Sequence, residues 1–115
     1  MRVEPAPREV RVYEYSRGRC PLEIWLTRLK DRKARAIIRE RIARLMLGNT
    51  GDVRSVGGGI LELRVEFGPG YRVHYGEHGK RIGVLLCGGD KSSQVADIGS
   101  ARTYWEDYRR LTRNA

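Results

Sequence analysis

The sequence of 115 residues is poor in the residues that build metal sites and disulfide frameworks. Its two cysteines, Cys20 and Cys87, are far apart, and only two histidines, His74 and His78, accompany them. Zinc sites and disulfide scaffolds need cysteines and histidines in paired, characteristic spacings. This pattern predicts neither a zinc site nor a required disulfide, and we expect no cofactor of any kind.

Long apolar runs, internal repeats and low-complexity tracts are also missing. A membrane-spanning helix needs about 20 apolar residues, and residues 1–16 lack the apolar core of a signal peptide. We therefore expect a cytoplasmic protein without a membrane partner. Residues 1–8 hold two of the four prolines and are interpreted as a loose lead-in. The length predicts a single domain over residues 1–115.

Positive charge, by contrast, is abundant. The chain has 23 lysines and arginines against 14 aspartates and glutamates, which gives a formal net charge of +9. A charge of this size on a small domain indicates a polyanionic partner, either nucleic acid or an acidic protein. It carries no information about the fold.

Two amphipathic helices are predicted in the first half of the chain. The first begins at Pro21, because proline is well suited to the first helical position, and its apolar residues recur with helical spacing at Leu22, Trp25, Leu26 and Leu29. Asp31 can end this helix and cap a second one over about residues 32–47, which stops at Gly48 and Asn49. The apolar stripe of the second helix is Ile38, Ile42 and Leu45.

Apolar and alternating segments predict four strands. They lie at about residues 10–13, 60–67, 71–75 and 81–87, and the last of them has no polar alternation over residues 84–87. A glycine-rich connection at residues 51–59 precedes the second strand. A last helix, capped by Asp90 or Ser92, carries the apolar stripe Ile98, Ala101, Trp105, Tyr108 and Leu111. The order β-α-α-β-β-β-α predicts an α+β domain with an N-terminal helical hairpin packed on a small antiparallel sheet, followed by a C-terminal helix.

The second and third predicted strands each present a polar face. Alternate side chains of a strand share a face, so Glu62, Arg64 and Glu66 stand together on one strand, and Arg72 and His74 stand together on the next. If the two polar faces coincide, carboxylates, arginines and an imidazole meet on one side of the sheet, which suits the binding of a phosphate. The alternative is an ordinary ladder of ion pairs on a solvated sheet face.

A glycine-rich exit, Gly88 to Ser93, follows the last strand. Free N–H groups at the start of the next helix can hold a phosphate. Equally, the glycines would form a tight turn and Ser92 would cap the helix. The exit contains no Walker pattern, so it does not predict a nucleotide-binding loop.

The order of elements, the basic helical pair and the hairpin resemble the RelE/ParE toxin superfamily. The hairpin motif is Glu62-Leu63-Arg64 … Gly70-Tyr71-Arg72-Val73 … Tyr75. The exit is more particular, and it is similar to the HigB-like addiction module killer protein branch, also described as phage-derived Gp49-like. The exit motif is Leu85-Leu86-Cys87-Gly88-Gly89-Asp90-Lys91-Ser92-Ser93-Gln94, with Asp97, Ile98 and Ala101 behind it. The resemblance covers roughly residues 10–104.

This resemblance implies the toxin of a type II toxin–antitoxin system. Such relatives enter the ribosomal A site and cut messenger RNA without a metal, as a 2′-hydroxyl attacks the adjacent phosphate. The products are a cyclic phosphate and a free 5′-hydroxyl. The implied partners are the ribosome, the messenger and a cognate antitoxin, typically of the helix-turn-helix type.

The resemblance also implies catalytic roles for individual residues. Arg72 matches the arginine that contacts the scissile phosphate, and Arg64 and Lys91 fall at supporting basic positions. Arginine suits this task because its guanidinium stays charged and can bind two phosphate oxygens at once. Many relatives place a tyrosine or histidine near the C-terminal segment for proton transfer, where this chain offers Gln94 and Asp97.

The residues themselves leave the general base open between Glu62, Glu66 and His74. We favour His74 slightly, because it shares a face with Arg72 and histidine titrates near neutral pH. As a plain strand residue, however, His74 would lie at a surface without any catalytic role.

Further RNA contacts are predicted outside this cluster. Tyr71, beside the turn, could stack on a base, although packing is its default role. Cations of the second helix could hold ribosomal RNA, contact an acidic antitoxin or form an ordinary solvated face. We select Lys33, Arg35 and Arg39 among them.

Three functions therefore remain open. The first is a ribosome-dependent endoribonuclease. The second is a ParE-like inhibitor of DNA gyrase with the same fold. The third is a non-enzymatic protein that binds nucleic acid or an antitoxin.

Overall fold

The computed structural model describes residues 9–79 and 82–113, which form an α+β fold. The elements are β1 (Glu9–Val12), α1 (Pro21–Arg28), α2 (Arg32–Met46), β2 (Val53–Gly57), β3 (Ile60–Val65), β4 (Tyr71–His78), β5 (Ile82–Asp90), a 3₁₀ turn (Lys91–Ser93) and α3 (Gln94–Arg113). The predicted lead-in at residues 1–8 lies outside the described residues. So do Lys80 and Arg81, at the start of the predicted last strand.

The five strands form one mixed sheet in the order β1-β5-β4-β3-β2. Strand β1 runs parallel to β5, and the other neighbours are antiparallel. The prediction of a purely antiparallel sheet is therefore wrong at this edge. Strand β5 lies between β1 and β4, and its residues 84–87 are buried, so the prediction of an interior strand there is confirmed.

The glycine-rich connection predicted at residues 51–59 contains strand β2, which forms the other edge of the sheet. Val53 and Val56 pack against opposite cores, which is the alternation expected of a strand. Gly57, Gly58 and Gly59 all have positive φ and make the turn into β3. The sequence analysis missed this short strand because the glycines that follow it are typical of a loop.

Helices α1 and α2 cover one face of the sheet, as predicted. Their core residues are Leu22, Leu26, Ala34, Ile38 and Leu45, which meet Leu63, Val65, Val73 and Tyr75 from the sheet. The cap at Asp31 is confirmed, since its carboxylate accepts hydrogen bonds from the backbone N–H of Lys33 at 3.0 Å and of Ala34 at 3.1 Å. An Asp at this position satisfies two N–H groups that the first helical turn leaves without partners.

Helix α3 covers the opposite face of the sheet. Ala101 and Trp105 pack there against apolar residues of the sheet, among them Ile60, Val84 and Leu86. A Cβ at Gly76 would overlap the ring of Trp105, so glycine is required for this close approach. Leu111, the last residue of the predicted stripe, is exposed, because the end of α3 extends beyond the core. Helices therefore cover both faces.

Gly88 and Gly89 belong to strand β5 and do not form the predicted tight turn. A Cβ at Gly88 would lie 2.5 Å from the ring of Trp25, and one at Gly89 would overlap the side chain of Asp97. The glycines thus allow helices to approach the strand from both sides. Asp90 caps the following 3₁₀ turn, because its carboxylate accepts a hydrogen bond from the Ser92 N–H at 2.8 Å. Within the described part of the chain, none of the helices has the length and apolar character to cross a bilayer.

Candidate functional site

The polar residues of β3 and β4 meet on the face that α3 covers. In the antiparallel register Glu62 is opposite His74, and Arg64 is opposite Arg72. Side chains of directly opposed residues project to the same side of a sheet. The prediction that the two polar faces coincide is therefore confirmed.

Glu62 is the centre of a buried hydrogen-bond network. Its carboxylate accepts from Arg72 Nε at 3.2 Å and lies 3.0 Å from His74 Nε2. Because a carboxylate can only accept, we assign the proton of this contact to Nε2. Gln94 Nε2 completes the network, at 3.2 Å and 3.0 Å from the two carboxylate oxygens. Only 1% of Glu62, 7% of Arg72 and none of His74 is exposed.

These partners decide the protonation of Glu62. Burial alone would raise the pKa of its carboxyl group, since a charge is costly to bury. Hydrogen bonds from Gln94 and His74, together with the positive charge of Arg72, outweigh that effect and hold the pKa of Glu62 below its ordinary value. Glu62 is therefore an anion that fixes Arg72 in place, and the alternative of a solvated ion-pair ladder is wrong.

A cavity of about 170 Å³ opens beside this network. Three cationic side chains line it, those of Arg64, Arg72 and Lys91, and the Gly68–Gly70 turn closes one side. We call it the cationic cavity. Glu66 is the one carboxylate among the described residues of its lining. The charge balance and the guanidinium donors suit a phosphate or another small oxyanion.

Local hydrogen bonds position the backbone of Arg64 and of Lys91 at this cavity. Arg64 is anchored through its main chain, because its carbonyl accepts from Arg41 Nη1 at 2.8 Å. Its own Nε is buried and has no hydrogen-bond partner among the described residues. The backbone N–H of Lys91 donates to the Gly70 carbonyl at 3.0 Å, which ties the 3₁₀ turn to the β3–β4 turn. The cavity therefore presents guanidinium and ammonium donors that a bound anion can use.

Two of the predicted catalytic residues, Glu62 and His74, lie behind Arg72 and do not line the cationic cavity. His74 Nδ1 is buried without a hydrogen-bond partner in the described part of the chain. A direct proton transfer by either residue stays a prediction, and this geometry does not favour it. Of the three bases that the sequence left open, Glu66 is exposed and reaches the cavity.

Tyr71 lines the cavity but is buried. Its ring packs against Trp25, with 6.1 Å between the ring centroids. The default packing role is therefore confirmed, and no open ring face is available for a base in this conformation.

The selected cations of α2 lie apart from the cavity. Arg39 donates to Glu23 of α1 at 3.1 Å, and Arg35 donates to the Leu29 carbonyl at 3.3 Å. Lys33 Nζ lies 5.8 Å from the centroid of the Phe67 ring. The structure does not bring these three residues into the cationic cavity, and their contact with RNA stays a prediction.

Sequence reasoning missed the role of Gln94 as the bridge between α3 and the buried carboxylate. Gln94 is the first residue of α3 and is 32 positions from Glu62. The sequence shows a polar residue, Gln94, near the start of the last helix. Its pairing with Glu62 depends on how α3 crosses the sheet, which the sequence pattern does not predict. Among the described residues no cluster of three His, Cys, Asp or Glu side chains is arranged to hold a metal ion.

Comparison with known proteins adds one relative. A protein of Haemophilus influenzae, named only "Uncharacterized protein", is 50% identical over 78 residues, which are 68% of this chain and 79% of that protein. The chain belongs to the same family as this protein. No family model matches the sequence.

Proposed function

We propose that this protein is the toxin of a type II toxin–antitoxin system and cuts messenger RNA on the ribosome. The observation that carries the proposal is the convergence of Arg64, Arg72 and Lys91 on one cavity next to the exposed carboxylate of Glu66. Further support comes from the resemblance to the RelE/ParE superfamily and its HigB-like branch. The proposal includes a RelE/ParE-like topology for this fold and a helix-turn-helix antitoxin as the partner that neutralises the toxin in the cytoplasm.

The cationic cavity supplies the groups that this reaction needs. Glu66 accepts the proton of the 2′-hydroxyl, whose oxygen then forms a bond to the adjacent phosphorus. Arg72 and Arg64 bind the non-bridging oxygens, where negative charge grows in the transition state. The bond to the 5′ oxygen breaks, and Lys91 donates a proton to that oxygen, because arginine cannot release one in proteins. A cyclic phosphate and a 5′-hydroxyl result.

In this mechanism Glu62 and His74 are positioning residues. Glu62 binds the Nε of Arg72, so the terminal guanidinium nitrogens remain available to face the phosphate. Gln94 and His74 hold the carboxylate in turn. The buried network therefore fixes the angle at which Arg72 enters the cavity.

The test is cleavage of a defined messenger in a translating extract, with new 5′ ends mapped by primer extension. Arg72→Ala should abolish the new ends. Lys91→Ala should reduce their formation about a hundredfold or more, which is the usual effect of losing a general acid. Lys30→Ala is the matched control, since Lys30 is also an exposed lysine but lies outside the cavity lining. It should leave cleavage unchanged.

Two further arms separate the alternatives. Glu66→Gln should reduce cleavage about a hundredfold or more if Glu66 is the base, and full activity of this variant would remove it from the mechanism. A reaction without ribosomes should give no ends. If the folded wild type produces no new ends on ribosomes, the nuclease proposal fails. Gyrase-linked DNA breaks would then identify the ParE-like function, and their absence would leave a binding protein.

A further inference from the structure

A groove of about 710 Å³ runs along the second half of α3 and the chain segment after β1. Three tyrosines, Tyr13, Tyr15 and Tyr104, and three arginines line it, namely Arg102, Arg110 and Arg113. We call it the tyrosine groove. It shares no lining residue with the cationic cavity. Neither the family relationship nor the proposed cleavage assigns it a role.

The three tyrosine rings form a stack that is anchored at one end and open at the other. The Tyr104 ring centroid is 5.0 Å from that of Tyr13, with 27° between the planes, and 6.5 Å from that of Tyr15, with 8° between the planes. Tyr13 is buried, and its hydroxyl donates to Asp107 at 2.6 Å. Tyr15 is 47% exposed. The groove therefore presents an aromatic surface to solvent at Tyr15.

Three arginines against two carboxylates give the groove a small excess of positive charge. Its two carboxylates already have partners, because Asp107 accepts from Tyr13 and from Arg110 at 2.5 Å, and Glu106 lies 3.9 Å from Arg109. Among the described residues, Arg102 donates only to the backbone carbonyl of Val56. Cations beside an exposed aromatic stack are the usual composition of single-stranded nucleic-acid sites, where rings hold bases and arginines hold phosphates.

We propose that the tyrosine groove binds single-stranded RNA, with a base stacked on Tyr15 and phosphates beside the arginines. An acidic peptide would satisfy the arginines but would leave the aromatic stack without a planar partner, so RNA fits both features. Tyr104 lies ten residues after Gln94 on α3, which is about 15 Å along a helix. The groove thus holds RNA at a place separate from the cationic cavity, and the proposal does not depend on cleavage.

Fluorescence anisotropy with a labelled oligonucleotide of about 12 nucleotides tests the proposal. The probe is 2′-O-methyl RNA, which has no free 2′-hydroxyl and so cannot undergo the cleavage proposed above. Tyr15→Ala should weaken its binding about tenfold, as expected for the loss of one stacked base. Tyr15→Phe retains the ring and should bind like the wild type. Leu47→Ala removes a large exposed side chain outside the groove and serves as the matched control.

Two additional probes show what the groove recognises. An abasic oligonucleotide of equal length has the phosphates without the bases, so its weaker binding should not respond to Tyr15→Ala. An acidic peptide of equal length should bind independently of Tyr15. Equal RNA affinity of the wild type and Tyr15→Ala would overturn the proposal. Tyr15-dependent binding of the peptide alone would also overturn it, and would indicate a protein partner.

Discussion

Glu62 and Leu63 are adjacent on β3 and are almost equally buried, at 1% and 0% exposure, yet they occupy opposite environments. Leu63 packs into the apolar core under α1 and α2. Glu62 lies under α3 and binds Arg72, His74 and Gln94. One strand thus stabilises the fold through apolar packing on one face and through a buried polar network on the other.

The two faces should tolerate change in different ways. An apolar core is sensitive mainly to volume, and side chains of similar size can replace one another at small cost. A buried polar network is sensitive to completeness, because removal of one member leaves the others without partners. The polar network should therefore be more sensitive to substitution than the apolar core. The same network positions Arg72 at the cationic cavity.

The largest effect is expected for Glu62→Ala. This change leaves the charge of Arg72 without a counter-charge and leaves His74 and Gln94 without an acceptor. It should lower the free energy of unfolding by about 3–5 kcal/mol, measured by urea denaturation. The combined variant Glu62→Leu, Arg72→Met, His74→Leu should be more stable than Glu62→Ala, since it removes the buried charge of Arg72 and the imidazole of His74 and leaves only the Gln94 amide without its acceptor. A combined variant less stable than the single one would contradict this view.

A volume-conserving change on the apolar face should have a smaller effect. Leu63→Met should cost less than about 1.5 kcal/mol in the same assay, because the core can repack around a side chain of similar size. Glu62→Gln is equally conservative in shape and should cost more, since it removes the negative charge beside Arg72. The reverse order of these two variants would show that the two faces do not differ as described.

Lowering the pH should have a smaller effect, because it removes only the stability that the charge of Glu62 contributes to the polar face. Because the pKa of Glu62 is lowered in the folded state, its contribution to stability is present above the unfolded pKa of about 4.3 and is lost as the pH falls through the folded value. Hydrogen bonds from Ser92 and Tyr13 also lower the pKa of Asp90 and of Asp107. The effect of Glu62 must therefore be measured as the difference in free energy of unfolding between the wild type and Glu62→Gln at each pH. That difference should shrink below about pH 4, whereas a constant difference would rule out Glu62 as its source.

The smallest effect is expected for an ion pair at the surface. Arg44 and Glu40 lie 2.8 Å apart on α2, and more than half of each side chain is exposed. Arg44→Ala should change the free energy of unfolding by less than about 0.5 kcal/mol. A change of several kcal/mol would mean that burial is not what separates this pair from Glu62 and Arg72.

Period-two alternation made much of the sheet predictable. It placed Leu63 and Val73 on the apolar face, and Glu62, Arg72 and His74 together on the other. The apolar stripes of the helices and the cap at Asp31 were also predictable, because each depends on residues a few positions apart in sequence.

What the sequence did not predict depends on distant parts of the chain. The parallel pairing of β1 with β5, the crossing of α3 over the polar face and the bond from Gln94 to Glu62 join segments far apart in sequence. Burial of the polar face was missed for the same reason, since a solvated and a covered polar strand have the same alternation. The position of Glu66 at the cavity likewise depends on the Gly68–Gly70 turn and on Lys91, which line the same cavity.

The pairing of β1 with β5 also has a consequence for the order of folding. Glu9 lies opposite Ile82, whereas the pairs β2–β3, β3–β4 and β4–β5 each join strands that are consecutive in sequence. Closing a long loop carries a larger entropic cost than forming hairpins. We therefore expect the antiparallel strands β2 to β5 to form first and β1 to join them late. Tyr13 and Tyr15 follow β1, so the tyrosine groove is assembled only in the last step, and a growing chain on the ribosome would not yet present it.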